Sequence, residues 1–337
     1  MLRLDRASYN GAAPIVVGVG DRPSHLRDFP VLRLIAFALS LFAPAVPAAL
    51  LMLSSAADAQ SPAVTQRGFM WEIRKGSQTA LLVGTIHVGR PEFYPFPAVQ
   101  VKRLQAADAI VLEADVSDMT RAIAATQKYA MLGPSEPGLD TRLSPALKAR
   151  IEAIAARNQV DPTPLWRMKP WMLANVLALF EAAQAGYMPA LSVEAYLTRI
   201  ARAQSKPVLE LESIEQQFQL FESAPWTTQV AFLDDAVKAV ETKAARREIN
   251  RIAQAWETGD KVALDRLLAE MRAQTSIGAR FTVDTILLGR HPAMIQRIES
   301  MMADGRSYVF AVGSLHLAGP QGLVEMLRAR GYTVTSL

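Results

Sequence analysis

Thr79-Ala80-Leu81-Leu82-Val83-Gly84 is a nearly unbroken apolar run, and it delivers Thr85-Ile86-His87 at its end. An apolar run of this length without polar alternation fits a strand covered on both faces, as strands of parallel sheets are. Just upstream, Phe69-Met70-Trp71-Glu72-Ile73-Arg74-Lys75 alternates apolar with polar and reaches Gly76-Ser77, so the two stretches predict a β-hairpin. Downstream, Pro95 and Pro97 introduce an amphipathic segment from Ala98 to Ala107, with Val101 and Leu104 inward and Lys102, Arg103 and Gln105 outward. It feeds Ala109-Ile110-Val111-Leu112-Glu113, a second short apolar run, closed by an acid. Strand, helix and strand in this order predict a βαβ unit with parallel strands.

The same design returns twice. Lys206-Pro207-Val208-Leu209-Glu210-Leu211-Glu212 is a short apolar strand closed by acids, and Ser213-Ile214-Glu215-Gln216 after it has the form of a capping box. Near the end of the chain, Tyr308-Val309-Phe310-Ala311-Val312-Gly313 leads into Ser314-Leu315-His316, followed by a helix near Gly319-Pro320 and a last strand around Tyr332-Thr333-Val334-Thr335. Between these strands the chain reads as helical over about 117–206 and 213–303, with breaks at Gly133-Pro134, Asp161-Pro162-Thr163-Pro164, Gly186-Tyr187-Met188-Pro189, Gly259-Asp260 and Gly289-Arg290-His291-Pro292. Ser144-Pro145 reads as an N-cap followed by proline at the first helical position. The expected fold class is α/β: a central, mostly parallel or mixed sheet built from both chain ends, with a large helical insertion. One domain over 60–337 accounts for the whole of it.

Residues 1–59 read as a leader. Arg27 and Arg33 precede an apolar run from Leu34 to Leu53, and Ala57-Asp58-Ala59 supplies an A-x-A-like end. That order is an export signal cut after Ala59, giving a periplasmic or secreted protein that touches the membrane only through its leader. The alternative is an inner-membrane anchor formed by residues 34–53, long enough at about twenty residues to span a bilayer. The formal charge is +4, but the basic residues are scattered, many of them near carboxylates. Nucleic acid wants clustered Lys and Arg, so it is not an expected partner. The chain has no cysteine. A thiolate nucleophile or ligand is therefore excluded, and any metal must be held by His and carboxylate.

His87, Glu113, Glu212 and His316 all follow expected strands. Ligands of open α/β sheets bind outside the carboxyl ends of such strands. The chain has four histidines, one of them in the leader, and two of the other three share the context strand-Gly-x-x-His. A glycine at Gly84 and Gly313 lets the backbone bend and leaves room for a ligand beside the imidazole. His87, His316 and Glu113 are the expected ligands of a divalent metal, and Glu113, Glu212 and Arg290 the expected catalytic groups. Which glutamate is ligand and which is general base stays open, with Glu210 as a substitute. Arg290 is a cation able to hold a substrate carboxylate or one of the site acids. His291 reads either as a helix start before Pro292 or as a third imidazole, and Trp166-Arg167-Met168-Lys169-Pro170-Trp171 either lines a cleft or packs a helix.

At these residues the chain resembles the TraB/GumN family, which shares features with the Tiki proteases. The resemblance runs from Trp71 to Tyr332. It is carried by Leu82-Val83-Gly84-Thr85-Ile86-His87-Val88-Gly89 with Phe93-Tyr94-Pro95, Val111-Leu112-Glu113-Ala114-Asp115, Leu165 to Trp171, Lys206 to Glu212, Val312-Gly313-Ser314-Leu315-His316-Leu317 and Arg328-Ala329-Arg330-Gly331-Tyr332. It implies an erythromycin-esterase/ChaN-like core and, from the Tiki branch, a divalent-metal-dependent protease with manganese or cobalt as the expected ion; the His and carboxylate donors also suit zinc. By that resemblance His87 and His316 match the paired histidines, and Glu113 or Glu212 the glutamate. Two places depart from the family. Arg290-His291 stands where it usually has Arg-Asn, and Ser192-Val193-Glu194 where it more often has Gly, an aliphatic residue and Asp.

Three functions follow. The first is an exported metallohydrolase, a peptidase acting on a peptide or small-molecule substrate. The second is a non-enzymatic binding protein for a metal complex, haem or a peptide signal. The third is a metal-free hydrolase in which a Glu-His pair activates water; with no Gly-x-Ser-x-Gly elbow, a serine nucleophile is not expected.

Overall fold

The computed structural model describes residues 67–337, so the expected leader lies outside the described residues. Six strands form one mixed sheet: β1 (Phe69–Lys75), β2 (Gln78–Thr85), β3 (Ala109–Leu112), β4 (Val208–Glu210), β5 (Tyr308–Gly313) and β6 (Thr333–Ser336), in the spatial order β4-β3-β5-β2-β1-β6. β1 and β2 form the expected antiparallel hairpin, with Lys75 opposite Gln78. Gly76 in its two-residue turn has φ 59°, the left-handed conformation that such a turn needs and glycine adopts without steric cost. β2, β5, β3 and β4 run parallel, and β6 closes the other edge antiparallel to β1.

The βαβ expectation is refined in one respect. β2 and β3 are parallel, but they are not neighbours, because β5 from the far end of the chain lies between them and pairs with both. Burial explains the placement. Tyr308, Val309, Phe310, Ala311 and Val312 are all fully buried, and a strand without a polar face is at home only in the middle of a covered sheet.

This order sets where the site falls. Thr85 is level with Gly313, and Leu112 is level with both Ala311 and Glu210. Four parallel strands therefore end on one edge of the sheet. Pairing runs a little past β4, where the Glu212 N–H donates to the Glu113 carbonyl at 3.0 Å, so the two acids emerge side by side.

Helices occupy the segments between strands, as the periodicity predicts. The helix Pro145–Arg157 is capped by Ser144, whose side chain accepts from the Leu147 N–H, and Ile214–Glu222 starts with the Ser213/Gln216 capping box. Their packing forms two main cores. One surrounds the sheet, and the other lies wholly in the insertions, where Ile151, Leu165, Leu173 and Leu177 meet Leu233 and Val237. The Trp166–Trp171 stretch belongs to this second region. Trp171 is buried and stacks on Phe221 at 4.8 Å, while Lys169 pairs with Glu222 at 2.5 Å, so these groups join helices together. Among the described residues no helix is long and apolar enough to cross a membrane.

A short bridge ties the first insertion to the end of β2: Gly89 and Met188 exchange backbone hydrogen bonds of 3.0 and 2.7 Å. A Cβ on Gly89 would lie 1.9 Å from the Leu191 carbonyl oxygen, which is backbone and cannot swing aside. Gly89→Ala is expected to lower the free energy of unfolding by about 3 kcal/mol, the upper range for overpacking, because one of two chain segments must shift. Urea denaturation measures it, and an unchanged midpoint would show that the bridge tolerates the methyl.

Candidate functional site

Each strand end on the common edge contributes one or two side chains. From β2 comes His87, whose Nδ1 lies 2.7 Å from Glu194 Oε1. Glu194 begins the helix Val193–Ala203, and the Val193 N–H donates to the Ile86 carbonyl at 3.2 Å, so the Gly89–Met188 bridge and this bond together bring the helix start beside the histidine. A carboxylate on Nδ1 makes that nitrogen the N–H and turns Nε2 toward the site.

From β3 comes Glu113, 6% exposed, with both oxygens engaged. Its Oε1 accepts from Arg290 Nη2 at 2.5 Å and from Gln217 Nε2 at 3.1 Å. Its Oε2 accepts from the Gly313 N–H at 3.0 Å and lies 3.5 Å from His316 Nε2. Glu212, beyond β4, turns to Arg290, accepting from Nε at 2.9 Å and from Nη2 at 2.5 Å. Arg290 thus spans both acids. It enters from the second insertion, where Phe281–Leu287 winds as a π-helix and Leu288–Arg290 as a 3₁₀ turn before the helix His291–Met302; such irregular winding redirects side chains and recurs at functional sites. Its Nη1 lies 3.3 Å from His316 Nε2.

From β5 come Gly313 and His316. A Cβ placed on Gly313 would lie 3.4 Å from both His87 Nε2 and Glu113 Oε2, and 3.5 Å from His316 Cδ2. Side-chain atoms of the three expected ligands, a ring carbon in the case of His316, therefore lie close together beside Gly313. Gly84 does something different. A Cβ there would meet Ser314 Oγ at 2.8 Å, so Gly84 lets the turn after β5 pack against β2, where the Ser314 hydroxyl donates to the Thr85 carbonyl at 2.8 Å. Neither glycine has a positive φ, so close approach, not a tight bend, is what both provide.

Charge divides the site into two halves. Burial pushes the Glu113 carboxyl up, but His316, Arg290 and His87 outweigh it and hold the group well below the usual carboxylate range. Burial also lowers His316, to about 3, so the cations beside Glu113 at pH 7 are Arg290 and His87. On the other side the Glu194 carboxylate raises His87 to about 9, against the opposing effect of burial. Two-thirds of the His87 side chain (66%) is nevertheless open to solvent, which screens this pair more than the Arg290 cluster. His87 is the accessible lip of the site, and His316 its buried floor.

Glu210 does not join the site: its oxygens go to Arg121 at 2.9 Å and the Asp115 N–H at 3.3 Å. His291 is buried, and its Nε2 lies 3.0 Å from His316 Nδ1, on the side away from Glu113. Two contributors were not singled out as site residues in the sequence. Glu194 had a signal in its departure from the family pattern, and Gln217 had none. Among the described residues, no group of three or more His, Asp or Glu is placed so that it could hold a metal ion.

Fold and site together define a mixed-sheet α/β protein with a His, Glu and Arg cluster at the carboxyl edge of its parallel strands. The TraB/PrgY/gumN family model matches residues 69–336, and the chain belongs to that family. It is similar to the uncharacterized protein YbaP of Shigella flexneri and that of Escherichia coli (strain K12), each 29% identical over 253 residues that cover 75% of this chain and 89% of the relative. An uncharacterized protein of Treponema pallidum (strain Nichols) is 23% identical over 270 residues, covering 77% of this chain and 80% of the relative. No solved structure matches the chain.

Proposed function

We propose that this protein is an exported hydrolase that cleaves amide bonds of peptides with the help of a divalent ion held by His87, Glu113 and His316. The observation that carries the reading is the convergence beside Gly313 of His87 Nε2, Glu113 Oε2 and the His316 ring, each within 3.5 Å of one point. Two imidazoles and a carboxylate suit a divalent ion that keeps positions for water and substrate. The donors are chemically ready in part: His87 Nδ1 is committed to Glu194, and Glu113 Oε1 to Arg290 and Gln217, which leaves Nε2 and Oε2 facing the shared space. An ion bound there supplies Lewis acidity toward the substrate carbonyl and acidifies the attacking water.

The other residues act around that point. Glu194 orients His87, Arg290 and Gln217 orient Glu113, and Glu212 holds Arg290. The guanidinium is a fixed positive charge near the oxygen on which charge develops as the amide is attacked. His87, with 66% of its side chain exposed, is the group a substrate from solvent would meet first, while His316 and Glu113 are buried.

A second reading is favoured by the position of Arg290, whose charge already balances Glu113. It is a hydrolase without metal, in which His87, oriented by Glu194 and neutral only as pH approaches its raised pKa of about 9, takes the proton from water and returns it to the leaving amine.

The test uses the purified chain without its leader. Divalent-ion content and peptidase activity are measured on wild type and on His87→Ala combined with His316→Ala. The expected result is activity that chelation abolishes and added ion restores, and a variant at background. Metal-stimulated cleavage retained in the double variant would refute the proposal, and full turnover after exhaustive chelation would move the assignment to the second reading.

A further inference from the structure

We propose that His291 is a positioning residue that locks His316 in the tautomer with its proton on Nδ1, so that the Nε2 lone pair faces the site. The inference adds to the hydrolase reading a residue outside the proposed ligand set, and its test does not depend on that reading.

The proton positions follow from the groups at the two ends of a short chain. At one end, His291 Nδ1 lies 2.7 Å from the carbonyl oxygen of Gln321. A carbonyl only accepts, so Nδ1 of His291 carries the hydrogen. With the hydrogen on Nδ1, the Nε2 of a neutral imidazole is an acceptor. That nitrogen is 3.0 Å from His316 Nδ1, which must then be the donor. At the other end, His316 Nε2 lies 3.3 Å from Arg290 Nη1, and a guanidinium only donates. Nε2 must therefore accept. The carbonyl and the guanidinium, on opposite sides of the pair, demand the same tautomer, and Glu113 Oε2, which at 3.5 Å would favour a proton on Nε2, already accepts from the Gly313 N–H.

The arrangement mirrors the other half of the site. His87 is oriented through its Nδ1 by the Glu194 carboxylate, whereas His316 is oriented through its Nδ1 by a neutral imidazole. A neutral partner suits the floor. His316 and His291 are 4% and 1% exposed, and a second carboxylate there would be a further buried charge beside Glu113. Both nitrogens of His291 serve the relay from Gln321 to His316.

The chain's four histidines make the test direct. Long-range ¹H–¹⁵N correlation spectra of the metal-free protein at pH 7 report which ring nitrogen of each histidine is protonated, with assignment by single substitution. Wild type is expected to show His316 and His291 both protonated on Nδ1 alone. His291→Phe removes the acceptor and is expected to convert His316 to a mixture or to the Nε2–H form. His291→Gln offers a side-chain carbonyl oxygen at similar reach and is expected to restore the Nδ1–H form. Direct Mn²⁺ titration should follow the tautomer, weakening by about 10- to 100-fold in His291→Phe and recovering in His291→Gln. A wild-type His316 protonated on Nε2, or a His291→Phe protein in which His316 stays wholly Nδ1–H, would overturn the proposal. Correct tautomers with no Mn²⁺ binding in wild type would instead count against the metal reading and leave the role of His291 standing.

Discussion

Arg290→Met is expected to reduce the free energy of unfolding by about 3 to 5 kcal/mol, the range for removing one partner from a buried ion cluster. The guanidinium donates to Glu113 Oε1 and to Glu212 Oε2 through Nη2, to Glu212 again through Nε, and to His316 through Nη1. Methionine keeps much of the volume and none of the charge, so the buried Glu113 carboxylate and the half-buried Glu212 carboxylate lose the cation they share. The pH dependence gives a second readout with a definite sign. In wild type the Glu113 carboxyl is lowered, so its contribution is present above its unfolded pKa of about 4.3 and is lost as pH falls through the lower folded value. Without Arg290 one of the influences that lower Glu113 is lost, and its folded pKa rises. The variant's deficit should then shrink as pH falls toward about 4, where protonation relieves it. Arg290→Lys should recover only part of the loss, because a single ammonium cannot reproduce the fork that reaches Nε- and Nη-side partners together. Guanidinium chloride unfolding across pH measures all three proteins, and an Arg290→Met curve parallel to wild type would show that the cluster is not held by this charge.

Gly313→Ala is expected to separate site from scaffold. The added Cβ would meet its three nearest side-chain atoms at 3.4, 3.4 and 3.5 Å, all ordinary van der Waals contacts, and Gly313 has no positive φ. Stability should change by less than about 1 kcal/mol, as for an accommodated methyl. The methyl nevertheless occupies the point on which His87 Nε2, Glu113 Oε2 and His316 converge. Any ion, water or substrate atom working there is displaced by about an ångström or excluded. Misplacement on that scale costs about 100-fold in rate, and at least that loss of peptidase activity is expected. Thermal unfolding and steady-state kinetics on the same preparation decide it. A folded variant with undiminished activity would place the chemistry elsewhere.

Local signals in the chain accounted for the hairpin, the acids at the ends of β3 and β4, and the two Gly-x-x-His segments. Each is an apolar run followed by a chemically distinct end, and apolar runs are what a covered parallel sheet requires. The neighbour relations were less visible. Nothing local in Ala109–Leu112 says that β5, not β2, lies beside it, although the wholly apolar Tyr308–Val312 is consistent with a central position. Partners of the site residues were harder still. Glu194 reaches His87 only because the Gly89–Met188 bridge and the Val193–Ile86 bond fold a distant helix start onto the end of β2. Glu212 is legible as an acid at a strand end, but its pairing with Arg290 depends on irregular winding that the breaks around Gly289 mark without specifying. His291 was open between a helix start and a third imidazole. It is the first residue of its helix, and it lies within hydrogen-bond distance of His316.

The central claim is that His87, Glu113 and His316 act as one divalent-ion site at the edge of the sheet. Anomalous diffraction from crystals of the metal-depleted protein, soaked in Mn²⁺ and recorded at an energy where manganese scatters anomalously, tests it most directly. The account predicts one strong peak within bonding distance of His87 Nε2, Glu113 Oε2 and His316 Nε2, absent from His316→Ala crystals soaked in the same way. A peptidase that remains active in Mn²⁺ while its crystals show no peak there, or show the ion bound to other residues, would contradict it.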